Sequence, residues 1–152
     1  AIHQPNYSML NRWVEQGLLD TCGELGMGII AFCPLFQGLL TDKYLNGIPK
    51  DSRFTIENSP LRKNEVNEQN LNVIRELNDH ARQRGQTLAQ MALSWVLRDN
   101  RVTSALIGAS SSVQILENVK AVHRTQFSVD ELGKLDRILA KANLPKSLWA
   151  SP

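Results

Sequence analysis

The feature that most constrains this chain is its alternation of short strand-like runs with longer segments of helical periodicity. Met27-Gly-Ile-Ile-Ala-Phe32 is short and almost wholly apolar, which fits a strand covered on both faces, and Pro34 ends it. Val102 to Ile107 reads as a second strand of the parallel type, and Ala1-Ile-His-Gln-Pro5 reads like the last residues of another. Strands separated by helices imply βαβ units and therefore a parallel sheet.

The helices between them have readable ends. From Ser8 to Leu25 the spacing of Leu10, Val14, Leu18 and Cys22 predicts a helix, interrupted at Gly17 and stopped by Gly26. Residues 35 to about 68 form a long irregular stretch, and loops of that length tend to be functional. A helix over Gln69 to Arg84 follows, with Leu71, Ile74, Leu77 and Ala81 on one face and Gly85 as its stop. Thr87 and Gln90 form a capping box for the next, in which Leu88, Met91, Ala92 and Trp95 share a face. Ser111 and Gln114 cap a helix carrying Ile115, Val119 and Val122. Ser128 and Glu131 form a second capping box, with Phe127 and Leu132 placed as its hydrophobic staple and Leu135, Ile138 and Leu139 continuing the face. The tail from Leu144 carries little helical signal.

Three parallel strands cannot close on themselves, and their edges would stay exposed. A closed (β/α)₈ TIM barrel needs about 250 residues, against the 152 present. The expected fold is therefore α/β, the C-terminal portion of such a barrel. Residues 1–152 would form one partial domain whose N-terminal half is missing. Open strand edges also predict that the isolated chain is oligomeric, aggregation-prone or molten unless complemented.

Composition excludes several classes. The net charge is only +2, with lysines and arginines scattered, so no basic stripe suggests nucleic acid or an anionic membrane. No apolar run approaches the ~18 residues that span a bilayer. Cys22 and Cys33 are the only cysteines, and they lack the companion ligands of a metal motif. Two reduced, structural thiols fit a cytoplasmic protein.

Two segments carry chemistry. In Ile107 to Asn118 a strand end passes through small residues straight into a helix N-terminus, where unpaired N–H groups and the positive end of the helix dipole favour an anion. A plain capped helix that binds nothing has the same pattern. In Ala31 to Tyr44, Phe32 stands at the C-terminal end of a strand, where an aromatic ring can stack on a flat ligand. A simple core phenylalanine is the competing reading.

Taken together, Gln4-Pro-Asn-Tyr7, Phe32-Cys-Pro-Leu35 with Gly38-Leu-Leu-Thr-Asp-Lys-Tyr44, Asn46-Gly-Ile-Pro-Lys-Asp-Ser-Arg53, Met91-Ala-Leu-Ser-Trp95 and Ile107 to Asn118 closely resemble the aldo-keto reductase family. Within it the chain is most similar to bacterial reductases acting on glyceraldehyde 3-phosphate and methylglyoxal, and β-subunits of voltage-gated potassium channels are similar too. The resemblance implies NADP(H) as cofactor and the roles that follow. Gln4 would hydrogen-bond the nicotinamide carboxamide, and Phe32 would stack on the ring. Cys33, Pro34, Leu35, Gln37 and Lys43 would line the pyrophosphate. Arg53, Ser110 and Gln114 would hold the adenosine 2′-phosphate, arginine being suited by its planar fork. Gly108 would allow close backbone approach, and Glu117 and Asn118 would take the adenine. Phe32 stands where the family more often has Tyr or Trp, Cys33 where Ser is common, and Asp42 where Gly is common.

The family's catalytic Asp, Tyr, Lys and His come from the first half of the barrel, and nothing here matches those motifs. Tyr7 and Tyr44 belong to the cofactor half, while His3, His80 and His123 read as structural or solvent-exposed. The resemblance thus implies the cofactor-binding half of a reductase of aldehydes or ketones, with no catalytic residue and no metal ligand of its own. Its partner in the intact protein would be a small carbonyl substrate, without nucleic acid or membrane insertion, and a homo-oligomer is compatible with the open edges. The alternative is an NADP(H)-sensing, channel-associated interaction module without turnover.

Overall fold

The computed structural model describes residues 1–49 and 65–144. Lys50 to Arg53 of the Asn46–Arg53 stretch and the tail beyond Leu144 lie outside the described residues.

Three parallel strands form one sheet: β1 (Ile2–His3), β2 (Gly28–Ala31) and β3 (Val102–Ala105), in the order β1-β2-β3. Ile2 pairs with Gly28 and His3 with Ile29. On the other side of β2, Ile29 pairs with Val102, Ile30 with Ser104 and Ala31 with Ala105, so one residue of β3 bulges out between Ile29 and Ile30. Thr103 is that residue, and its Oγ1 accepts the Ile29 N–H at 3.2 Å, replacing a ladder bond the bulge removes. Both apolar runs are trimmed at their ends relative to expectation. Burial also alternates along β2: Ile29 and Ala31 are buried in the core, while Gly28 and Ile30 are only half-buried. One face of the sheet is therefore helix-covered and the other open. At its edges Ile2 and Leu106 are exposed.

The helices are α1 (Leu18–Glu24), α2 (Glu68–Gln83), α3 (Leu88–Leu97), α4 (Ser112–Val119) and α5 (Val129–Leu139). The helix expected from Ser8 is much shorter than its spacing suggested. Ser8 and Asn11 form an isolated antiparallel bridge, Trp13–Glu15 is a 3-10 turn, and only the last turns are α-helical. Gly17, at φ 109°, ψ −22°, resets the chain before α1. A Cβ there would meet nothing within 4 Å, so any cost of a side chain is backbone strain alone. Gly17→Ala is expected to destabilise the protein by about 1–2 kcal/mol, read by chemical unfolding. An unchanged midpoint would mean that the break before α1 is set elsewhere.

The apolar layer beside the sheet is α3 on β3, with α2 packed on α3 and α5. Leu77, Ala81, Met91, Ala92, Trp95 and Val96 are fully buried, joined by Tyr7, Leu39, Leu40 and Tyr44 from the strand-end loops. The capping box of α3 forms as expected, with Thr87 Oγ1 accepting the Gln90 N–H and Gln90 Oε1 accepting the Thr87 N–H. That of α5 forms only in half. Ser128 Oγ accepts the Glu131 N–H at 3.1 Å, but the Glu131 carboxylate turns away to Arg84 and to His80, 3.1 Å from its Nε2. The buried guanidinium of Arg84 outcompetes a single backbone N–H for that carboxylate, because the charge-assisted pair is stronger. Phe127 and Leu132 each pack against the core, and Arg84 lies 3.8 Å from the Phe127 ring centroid.

The apolar residues of α4 and the following 3-10 segment behave differently. Val113, Ile115, Leu116, Val119 and Val122 are all exposed, and α4 has no buried residue. No described helix is long and apolar enough to cross a membrane.

Candidate functional site

Because the three strands are parallel, their C-terminal ends emerge on one side, and the loops that leave them carry the sequence motifs. Gln4 follows β1 directly and is exposed. Phe32 follows β2, held by its own N–H to Pro5 O at 2.9 Å and by the Tyr7 N–H to its carbonyl at 3.2 Å. Leu106 follows β3, its N–H bonded to Ala31 O at 2.8 Å. These backbone bonds bring the Gln4-Pro-Asn-Tyr7 stretch, Phe32 and the start of the Ile107–Asn118 segment to one edge of the sheet. Phe32 is half-buried, so its ring is not wholly absorbed into the core.

Beyond Phe32 the backbone is strained. Cys33, Phe36 and Gln37 have φ of 54°, 46° and 57°, left-handed values that non-glycine residues seldom adopt. Each costs on the order of 1–3 kcal/mol, and such residues gather where a loop is shaped for a ligand. The turn is held by Phe36 N–H to Cys33 O at 2.9 Å and by the Gly38 and Leu40 N–H groups, which share Leu35 O. Cys33 Sγ accepts from Gln37 Nε2 at 3.0 Å. Burial pushes the Cys33 thiol up from its ordinary value, against the lowering effect of that bond. Pro34 is buried and Leu35 packs against the core.

Lys43 is exposed and is presented by a short 3-10 turn, Asp42–Tyr44. Thr41 organises it: its Oγ1 donates to Gly38 O at 2.7 Å and accepts the Lys43 N–H at 3.2 Å. Thr41 is a residue the sequence reading passed over, although a threonine just before a turn is the usual signal of a cap. Asp42 is also exposed, and the Lys43 ammonium lies 5.8 Å from the Tyr44 ring centroid.

In the third loop Ser111 caps α4, its Oγ accepting the Gln114 N–H at 3.3 Å. Ser110 and Gln114 come together: the Ser110 N–H donates to Gln114 Oε1 at 2.8 Å, and Ser110 Oγ donates to the same oxygen at 3.1 Å. Two donors are thus already aimed at one oxygen, in an exposed loop at a helix N-terminus. An anionic oxygen in place of that amide oxygen meets the same two donors with the helix dipole added. A Cβ at Gly108 would have nothing within 4 Å, so the backbone there is bare toward open space. Glu117 and Asn118 lie near the C-terminal end of α4, Asn118 half-buried, and Glu117 pairs with Lys120.

The remaining titratable candidates take structural roles. Tyr7 is fully buried, its OH donating to Glu15 at 2.7 Å and accepting from Arg98 at 3.2 Å, and burial pushes its phenol well above the ordinary range. Tyr44 is fully buried. His80 belongs to the Arg84–Glu131 cluster. Both cysteines are free thiols. Among the described residues no group of three or more His, Cys, Asp or Glu is placed to hold a metal ion.

A family profile described as "Aldo/keto reductase family" matches residues 1–140. The chain belongs to the aldo/keto reductase family. It is 55% identical over 152 residues to the L-glyceraldehyde 3-phosphate reductase of Escherichia coli K12, covering 97% of this chain and 43% of that protein. A putative voltage-gated potassium channel subunit beta of Schizosaccharomyces pombe is 39% identical over 142 residues, covering 90% of this chain and 41% of the relative. Among solved structures, the aldo-keto reductase of Klebsiella pneumoniae in complex with NADPH superposes with a TM-score of 0.64 at 25% identity, over 100% of this chain and 43% of that one. The chain thus spans about two fifths of the length of these relatives. Its three parallel strands with their helices are part of the larger α/β barrel of this aldo/keto reductase family.

Proposed function

We propose that residues 1–152 are the cofactor-binding half of an NADPH-dependent reductase of aldehydes and ketones, whose catalytic Asp, Tyr, Lys and His lie elsewhere in the intact protein. The observation that supports this reading is that the three parallel strands release their loops on one side of the sheet, one loop carrying half-buried Phe32 and another the Ser110–Gln114 donor pair. NADPH, when bound, supplies a hydride to a carbonyl carbon. Phe32 would pack on the nicotinamide and decide which ring face is presented, while Gln4 would hold the carboxamide. The strained Cys33–Gln37 turn, with Pro34 and Leu35, and Lys43 would line the pyrophosphate. Ser110, Gln114 and Arg53 would take the 2′-phosphate, Gly108 would let the backbone approach, and Glu117 and Asn118 would hold the adenine. Burial of both tyrosines supports a proton donor from outside this chain's described residues.

The substrate class follows the 55% identical L-glyceraldehyde 3-phosphate reductase: a small aldehyde such as L-glyceraldehyde 3-phosphate. The test is NADPH oxidation by the intact protein with that aldehyde, beside the Phe32→Ala variant. Wild-type turnover is expected, with Phe32→Ala slowed about two- to tenfold, since stacked aromatic contacts contribute roughly 0.5–1.5 kcal/mol beyond the area they bury. Turnover unaffected by the substitution would reject the nicotinamide role. The likeness to a potassium channel β-subunit favours a second reading, an NADP(H)-sensing module. Tight NADPH binding with no oxidation by any small carbonyl would select it.

A further inference from the structure

Gln90 lies in the first turn of α3 and is only 7% exposed. Its amide makes two kinds of contact. Oε1 accepts the Thr87 N–H at 3.0 Å, which completes the cap of α3. Nε2 donates to Glu117 O at 2.8 Å and lies 3.5 Å from Glu117 Oε2. Its partner helix is the one whose side chains are not buried. Apolar packing within the described residues therefore does little to fix how α4 is turned, and polar ties to α3 carry more of that task. A second tie runs from Ser94 Oγ to Ala121 O at 2.8 Å, with Gln86 Nε2 donating to the same hydroxyl at 2.9 Å. The two ties bracket Asn118.

We propose that Gln90 is a positioning residue for the adenine end of the cofactor, acting through the Glu117 carbonyl that it clips to α3. The proposal rests on the reading that Glu117 and Asn118 take the adenine. Without the Nε2 donor, the end of α4 loses a buried anchor beside both residues, and the adenine side of the groove is no longer preset. The nicotinamide end is held from β1 and β2, so the loss falls on affinity and not on the hydride step.

Three variants of the intact protein separate the clip from the cap. Gln90→Glu keeps the oxygen that caps Thr87 and removes the donor; Thr87→Ala removes the cap hydroxyl and leaves the clip; Gln90→Met removes both. Each is titrated with NADPH and with adenosine 2′,5′-bisphosphate, which carries the adenine and 2′-phosphate without nicotinamide, and its kcat and thermal midpoint are recorded. Gln90→Met is expected to weaken both ligands about fivefold, the equivalent of one net hydrogen bond, and Gln90→Glu, whose carboxylate also faces the Glu117 oxygens, at least as much, with kcat at saturating NADPH retained. Thr87→Ala is expected to lower the midpoint without changing either Kd. Wild-type affinity in Gln90→Glu, or a loss in Kd and kcat together matched by Thr87→Ala, would overturn the proposal while leaving the cofactor reading intact. Failure of the wild type to bind either ligand would overturn both.

Discussion

Glu131→Gln is expected to destabilise the protein by about 3 kcal/mol, a larger loss than any other substitution considered. The guanidinium of Arg84 is 4% exposed, and Glu131 is its only carboxylate partner among the described residues. Its other contacts are neutral: Gln86 Oε1 at 2.8 Å, Arg124 O at 3.1 Å and Gln126 O at 3.2 Å, with the Phe127 ring on its face. Removing the charge from Glu131 leaves a buried cation with neutral acceptors but no counter-charge. The loss therefore falls at the lower end of the roughly 3–5 kcal/mol seen when a buried pair is broken on one side. At a domain of this size the thermal midpoint would fall by about 6–12 °C. Replacing both residues, as Arg84→Met with Glu131→Leu, should recover much of that loss, because the buried charge goes with its partner. A loss below about 1 kcal/mol in the single variant would show that α5 is held by its apolar face alone.

The same cluster makes stability depend on pH in a definite direction. Burial raises the Glu131 carboxyl, but the hydrogen bonds and charges of Arg84 and His80 outweigh it and hold the group below its ordinary 4.5. Asp99 is held low as well, chiefly by its hydrogen bonds from Arg101. A carboxyl depressed in the folded state contributes stability that is fully present above its unfolded value. That contribution is lost as pH falls through the lower folded value. Unfolding midpoints should therefore decline below about pH 4.5, and the decline should be shallower in the Arg84→Met, Glu131→Leu double variant. An equal slope in both proteins would remove Glu131 from the explanation.

Gly108→Val is expected to leave stability nearly unchanged, within about 0.5 kcal/mol, yet to weaken NADPH at least about tenfold. No atom lies within 4 Å of a Cβ at this position, and Gly108 is not among the residues with left-handed backbone. Among the described residues the fold thus gives no steric or conformational reason for glycine there. If the cofactor lies against this backbone, the added isopropyl group takes its place and costs more than the loss of one ordinary contact. Equal NADPH affinity in wild type and variant would mean that nothing binds close to Gly108.

Much of this was legible in the residues. The two strand runs, the stops at Gly26 and Gly85, and the Thr87–Gln90 capping box are local signals, and the structure reproduces them because no tertiary contact opposes them. The helix over Ser8 to Leu25 was misjudged because a four-residue spacing of apolar side chains also arises when a bridge, a 3-10 turn and a short helix pack on one core. Glu131 was misjudged for a related reason: its capping pattern is local, but Arg84 lies 47 positions away and cannot be seen in a window. Parallel strand ends account for the convergence of the site, which was legible once β1, β2 and β3 were placed. What the sequence could not show is that the Gln90 amide, besides capping its own helix, reaches Glu117, since that depends on how α3 crosses α4.

The central claim is that this half of the barrel holds NADP(H) by its adenosine 2′-phosphate. Equilibrium titration of the intact protein with NADPH and with NADH, followed by quenching of protein fluorescence, tests it most directly. The account predicts NADPH binding tighter than NADH by about a hundredfold or more, since loss of the phosphate removes two or more charge-assisted hydrogen bonds of roughly 1.5–3 kcal/mol each. Equal affinity for the two dinucleotides, or no binding of either, would contradict it.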